Sequence, residues 1–239
     1  MSRLCVLALL LVGAGAGCSS ADRAAEKAAP AGATAKAAAS DASGSATPDS
    51  ASPERKALLA AADRGRILGA ETAPIWLLVV SDFQCPWCKQ WHDATFPAIR
   101  KQYVEAGRIR VAYLNFPIRS HANALPAAMA AMCASAQEKF WPAHDRLFEA
   151  QQKWETLADP SAYLDSLAVA AGADGARLRE CTRGRWLAAL IEGDQARAER
   201  AGAQSTPTFF VGTRKIEGAQ PLAEFRRVID SVLAAVNKK

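Results

Sequence analysis

Ile75-Trp76-Leu77-Leu78-Val79-Val80-Ser81-Asp82-Phe83-Gln84-Cys85-Pro86-Trp87-Cys88 is the stretch that decides the fold of this chain. Its first six residues are an unbroken apolar run with a β-branched end, the mark of a strand buried on both faces. Pro86 suits the first position of a helix, where its missing N–H would have no partner in any case. Trp87, Trp91, Phe96, Ile99 and Tyr103 then recur at helical spacing, and Pro97 is expected to kink that helix. Ile109, Val111, Tyr113 and Phe116 read as a second strand over 108–117, completing a strand, helix, strand unit of the βαβ kind.

Downstream, the pattern from His121 to about Gly202 is mostly helical. Phe140, Trp141, His144, Leu147 and Phe148 share one helix face, and Tyr163, Leu164, Leu167 and Val169 belong to a helix started at Asp159-Pro160. Thr208-Phe209-Phe210-Val211 and Arg214-Lys215-Ile216 read as short strands joined at Gly212-Thr213 in a tight hairpin. Leu222, Phe225, Val228, Ile229, Val232, Leu233 and Val236 form the stripe of a last helix after Pro221.

Upstream, Met1-Ser2-Arg3 and the apolar run Leu4 to Val12 read as a secretory signal over 1–17, because the run is far shorter than the roughly 20 residues of a spanning helix. Gly13 to Gly17 followed by Cys18-Ser19-Ser20 resembles the processing site of bacterial lipoproteins, which implies a lipid on Cys18 and a membrane anchor. Gly15 stands where that pattern has Leu, and this leaves ordinary cleavage after Ala16 as the alternative. Residues 19–52 contain 14 Ala and 7 Ser and no large apolar residue, so the segment 18–54 is read as a flexible linker. Its root-mean-square span would be about 30 Å. The remaining residues, 55–239, suffice for one domain with a substantial core.

Lys and Arg total 29 against 24 Asp and Glu, a formal charge of +5, but the charges are scattered. No basic stripe interleaved with aromatics is present, so nucleic acid is not an expected partner. Export makes disulfide chemistry permissible for the cysteines beyond the leader.

Cys85-Pro86-Trp87-Cys88 is a CxxC motif placed where a buried strand becomes a helix. There Cys85 faces unpaired backbone N–H groups and the positive end of the helix dipole, which favour thiolate. Cys88, one turn inside, is placed to resolve a mixed disulfide formed at Cys85, which makes the pair a reversible two-electron centre. A structural zinc knuckle needs four ligands, and no second CxxC or suitably spaced His pair supplies them. An inert disulfide across two residues closes too small a loop to stabilise much. A hydrolytic cysteine would be trapped by its neighbour in an oxidising compartment. No metal or other cofactor is expected, because the electrons travel on sulfur.

Ser205-Thr206-Pro207-Thr208-Phe209-Phe210-Val211 places a proline just before a buried strand, an unusual position inside a sheet. With the CxxC motif this resembles the thioredoxin superfamily. Together with Phe140-Trp141-x-x-His144-Asp145-x-Leu147-Phe148 and Gly218-Ala219-Gln220-Pro221, it is similar to the DsbA-like branch over about residues 63–236. The resemblance implies an α/β thioredoxin-like fold with an inserted helical block at about 120–202. It also implies Cys85 as attacking thiol, Cys88 as resolving thiol, Pro207 as a cis residue, and Thr206 as a backbone partner for an extended client segment. Trp87 and Phe83 are expected to offer apolar surface to unfolded clients. His92, His121 and His144 are expected on helices in structural roles. The branch carries a buried acid six residues before the first redox cysteine, where this chain has Val79.

Cys133 and Cys181 remain, both in expected helices. A structural disulfide between them would be worth about 4 kcal/mol in loop entropy; two free buried thiols, or a second redox relay, are the alternatives. The functional expectation is an extracytoplasmic thiol:disulfide oxidoreductase acting on cysteines of exported proteins, with a separate redox partner that restores it. A reductase or isomerase is the alternative within that class, although DsbC-type isomerases carry an N-terminal dimerisation domain that the Ala/Ser linker does not provide. A membrane-tethered copper-binding module is the alternative outside it, disfavoured by only 3 Met and no His beside the CxxC.

Overall fold

The apolar run at 75–80 forms the middle of a five-stranded sheet in the computed structural model, which describes residues 52–238. Strand β1 is Ile67–Leu68, β2 is Ile75–Ser81, β3 is Ile109–Asn115, β4 is Thr208–Val211 and β5 is Arg214–Glu217, in the spatial order β1-β3-β2-β4-β5. β2 and β3 are parallel, with Val79 opposite Tyr113 and Ser81 opposite Asn115. The other pairs are antiparallel. A parallel neighbour needs a crossover, and helices α2 (Pro86–Ala94) and α3 (Phe96–Ile99) supply it with a π-helical turn at Arg100–Val104.

The expected kink falls at Thr95, between α2 and α3. Pro97 has no N–H to continue the ladder, and the Thr95 hydroxyl at the break donates to the Gln220 carbonyl at 3.4 Å. Between β3 and β4 lie α4 (Ala124–Ser135), α5 (Phe140–Glu149), α6 (Gln151–Trp154), α7 (Ser161–Ala170), α8 (Gly175–Arg183) and α9 (Ala188–Arg200). α10 (Leu222–Val236) closes the chain and buries Phe225, Val228, Ile229 and Leu233, while Val236 is exposed near its end.

Two elements go beyond the expectations. α1 (Pro53–Gly65) begins at Ser52, whose side chain accepts from Arg55 N at 3.2 Å. It packs so closely on α4 that a Cβ at Gly65 would sit 2.3 Å from the Ser135 carbonyl oxygen. β1 has only two residues, too few to show a period.

Leu77 and Val79 face the main core with Trp91, Phe209 and Phe225, while Val80 packs with Phe116, Ala198 and Ala203 in a smaller cluster. α9 is tied down by Asp194, which is fully buried and accepts from Arg66 and from the Asn115 backbone and side-chain nitrogens at 3.1 and 2.9 Å. Burying that carboxylate is tolerable because both of its oxygens accept from donors, Arg197 serving the second. In the helical block Cys133 of α4 and Cys181 of α8 are joined by a disulfide.

Candidate active site

Strand β2 ends at Ser81, and the chain must turn before α2 can start at Pro86. Asp82 makes that turn. Its carboxylate accepts from Gln84 N at 2.7 Å, from Ile118 N at 2.9 Å and from His121 Nδ1 at 2.7 Å, so it points at the segment following β3. Burial pushes its pKa up, against the opposing pull of these donors. His121 sits in the turn before α4 and not on a helix as expected, because its ring is the partner that Asp82 needs there.

Four further contacts fix the turn. Gln84 Nε2 donates to the Glu155 carbonyl at 3.1 Å and its Oε1 accepts from Asn123 N at 2.7 Å. Gln151 Nε2, buried, donates to the Phe83 carbonyl at 2.6 Å and the Cys85 carbonyl at 3.1 Å. The helical block thus holds the redox turn by its backbone. Gln151 lies outside any local pattern that includes the cysteines, and no signal in the sequence marks it.

The same turn corrects the expectation for Phe83. It is not client-facing surface: it is 1% exposed, stacked on Tyr113 at 5.0 Å and packed on Phe148 at 5.1 Å. The Asp82 turn swings its ring into the core between β3 and α5. Trp87, by contrast, is 61% exposed on the first turn of α2.

Cys85 is the N-cap of α2, with both cysteines in the dithiol form. The Cys88 thiol donating to its sulfur, aided by the Thr206 side chain and the N–H groups of Cys88 and Trp87, holds the Cys85 pKa down to about 6 despite burial. Burial pushes Cys88 well up, and the negative charge forming on Cys85 adds to this. The two thiols are therefore differentiated: one ionised near neutral pH, the other a proton-bearing thiol.

The Thr206–Pro207 peptide is cis, and the Thr206 carbonyl lies 3.6 Å from Cys85 Sγ. That carbonyl serves the thiol as acceptor. The Thr206 hydroxyl is buried without a hydrogen bond of good geometry and lies beside the same sulfur, where it is free to donate to the thiolate. Gly218 N donates to the Pro207 carbonyl at 2.8 Å, at a backbone φ of +75° that suits glycine, and so ties the loop to the end of β5.

Val79 is buried and apolar, so β2 offers Cys88 no carboxylate from that position. His144 Nδ1 and His92 Nε2 both contact Asp145 Oδ1, at 2.8 and 3.2 Å. These three residues bring their ligand-type atoms within 4.8 Å of one another. His92 is also engaged by Asp93 and Asp145 by Arg100, and the rings of Phe83, Tyr113, Phe140, Trp141 and Phe148 surround His144, which fits a structural role better than a metal site. Burial lowers the His144 pKa to about 4.

A hollow of about 1000 Å³ opens on the helical block, lined by Leu125, Met129, Leu164, Val169, Arg179 and Arg183, and none of the redox residues lines it. Among the described residues no helix is long and apolar enough to cross a membrane.

A differentiated thiol pair at a helix N-terminus, faced by a cis-proline loop on a mixed sheet, defines a thiol:disulfide oxidoreductase. The chain belongs to the thioredoxin family, whose model, described as Thioredoxin, matches residues 61–231. Disulfide bond formation protein D of Bacillus subtilis is 26% identical over 172 residues, covering 70% of this chain and 76% of that protein. The crystal structure of oxidised BdbD from Bacillus subtilis superposes with a TM-score of 0.65 at 26% identity, covering 72% of this chain and 94% of that one. The Na(+)/H(+) antiporter NhaA 3 of Salinispora tropica is 31% identical over 174 residues, 72% of this chain but 25% of the antiporter. That likeness is to one quarter of the antiporter's length.

Proposed function

We propose that this protein works outside the cytoplasm and oxidises pairs of cysteines in exported proteins. The observation that carries the reading is the placement of the pair: Cys85 caps the N-terminus of α2 with its sulfur 3.6 Å from the Thr206 carbonyl, where its pKa is held down to about 6, while Cys88 is buried one turn inside with its thiol pushed up. A client thiolate attacks Cys85 Sγ of the oxidised protein, the Cys85–Cys88 bond breaks, and a mixed disulfide forms. The client's second thiolate then attacks its own sulfur in that bond, releasing Cys85 as a stable thiolate. A low Cys85 pKa favours this departure, which is the chemical bias of an oxidant.

The Thr206 carbonyl lies beside the reacting sulfur, and the Thr206–Pro207 segment would pair with an extended client backbone while exposed Trp87 would add apolar contact. The Cys133–Cys181 bond braces the helical block. A membrane redox partner would reoxidise Cys85 and Cys88, and a lipid on Cys18 would keep the protein near it. The linker expected at 18–54, the leader at 1–17 and Cys18 lie outside the described residues, apart from the start of α1.

The test is oxidation of a reduced, unfolded dithiol protein by the oxidised enzyme. Turnover is expected to vanish in both Cys85→Ala and Cys88→Ala, and Cys88→Ala carrying glutathione in a mixed disulfide on Cys85 is expected to exchange that glutathione for a client thiol. Trp87→Ala should slow client oxidation several-fold while leaving exchange with glutathione unchanged. A reduction potential near the thioredoxin value of about −270 mV would overturn the oxidase direction. Tight stoichiometric Cu(I) binding without client turnover would overturn the enzymatic reading.

A further inference from the structure

We propose that the hydroxyls of Tyr113 and Ser81 form a hydrogen-bonding hole that receives the Cys88 thiolate when a client opens the Cys85–Cys88 disulfide. The inference rests on the exchange reaction proposed above and assigns a role to two residues outside the motif. Cys88 is 1% exposed, so the sulfur that leaves from the broken disulfide cannot be solvated by bulk water. A thiolate released into an apolar interior is costly unless donors already face it.

The sheet register supplies them. Tyr113 on β3 lies opposite Val79 on β2, and Ser81 is two residues further along β2 on the face that Val79 occupies. The side chains of Ser81 and Tyr113 therefore stand on the side of the sheet on which Cys88 packs. The Ser81 side chain and the Asp82 backbone N–H adjoin the Cys88 thiol, and the Tyr113 hydroxyl adjoins Ser81 from behind, where it feels the charge on Cys88.

The Tyr113 hydroxyl is buried and makes no hydrogen bond of good geometry in the dithiol state, although Ser81 is its neighbour. Phe83, Phe140 and His144 pack around the Tyr113 ring at 5.0, 5.2 and 5.4 Å between centroids and hold it in place. A buried donor without a partner is rare and calls for an explanation. A group that gains its partner only when negative charge develops beside it has that explanation, because such a donor is organised before the reaction and favours the charged state. Burial and the neighbouring thiols push the Tyr113 pKa well up, so the hydroxyl keeps its proton and acts as a donor.

The step balances without a further reactant. The client thiolate forms a bond to Cys85 Sγ, the Cys85–Cys88 bond breaks, and its electron pair goes to Cys88 Sγ. Ser81 O–H and the Asp82 N–H donate to that sulfur, and Tyr113 O–H donates to the Ser81 oxygen behind it, until the sulfur takes a proton from water. The disulfide is the oxidant and the client thiolate the reductant.

The test is the rate at which glutathione opens the disulfide of the oxidised protein. In Tyr113→Phe the rate at neutral pH is expected to fall about fivefold, the scale of one hydrogen bond. The equilibrium constant with glutathione should stay within about twofold, because Cys88 is a protonated thiol in the final state. The pH midpoint of Cys85 alkylation should not move. Ser81→Ala is expected to slow opening at least as strongly, because it removes the hydroxyl next to the sulfur.

An opening rate in Tyr113→Phe within twofold of the parent would overturn the proposal, as would a slowing accompanied by a displaced Cys85 midpoint. If Tyr113→Phe does not fold, an unchanged rate in Ser81→Ala overturns it and a slowed one supports it. Failure of the unaltered protein to exchange with glutathione would sink the exchange reaction itself, which separates the two failures.

Discussion

The Asp82 carboxylate and the His121 ring nitrogen lie 2.7 Å apart, joining the turn before the redox cysteines to the turn that enters the helical block. The same carboxylate holds two backbone N–H groups, of Gln84 and Ile118. One side chain thus sets both the start of α2 and the path of the chain leaving β3.

Asp82→Ala would leave those two donors unpartnered in a buried turn, at about 1–3 kcal/mol each. We expect a loss of about 2–4 kcal/mol and a fall in Tm of roughly 5–10 °C for a domain of this size. Denaturant unfolding and thermal melts check this. Asp82→Asn should fall between, since its amide oxygen keeps one acceptor role.

Alkylation of the reduced protein by iodoacetamide should titrate with a midpoint at about 6, all of the label entering Cys85 at neutral pH. Cys88 should stay unlabelled, because burial holds its thiol protonated. Thr206→Val removes the hydroxyl beside the Cys85 sulfur and should raise the midpoint. A midpoint that stays in place in that variant would remove Thr206 from the account of the low pKa.

His144 introduces an acid sensitivity. Its folded pKa of about 4 lies below the value near 6.5 of an unfolded histidine, so the unfolded chain binds more protons between those limits. The stability this provides is present above pH 6.5 and is lost as pH falls toward 4, about 3 kcal/mol across the window. His92 works in the opposite sense, since its bonds to Asp145 and Asp93 outweigh burial and raise its pKa. His144→Phe should flatten the fall in unfolding free energy between pH 6.5 and 4. Urea titrations at a series of pH values provide the measurement.

Replacing both Cys133 and Cys181 by Ala should cost about 4 kcal/mol, on the loop entropy of a bridge with a sequence separation of 48. The glutathione equilibrium of Cys85 and Cys88 should not change. Alkylation of Cys133 or Cys181 in the native, unreduced protein would contradict the bridge, and peptide mapping without reductant locates it.

Features set by neighbouring residues were legible in the sequence. The apolar run ending at Val80 gave β2, Pro86 gave the start of α2, Pro97 gave the break at Thr95, and the stripe after Pro221 gave α10. Each depends on local periodicity or on the missing N–H of proline, and both are visible over a few residues. β1 was not legible, because two residues have no period and form a strand only where β3 offers an edge.

In the site, the chain order alone determined that Cys85 caps a helix behind a buried strand, and therefore which of the two thiols ionises. Tertiary structure decided what surrounds that pair. Phe83 and Trp87 are both apolar and both flank Cys85, yet one is in the core and the other exposed, because the Asp82 turn points them in opposite directions. Gln151 reaches the Cys85 carbonyl across 66 residues, and Tyr113 meets Val79 only through the parallel register of β2 and β3. Sequence carries the propensities of short segments; burial and hydrogen-bond partners come from segments that meet only when the sheet and the helical block close around the cysteines.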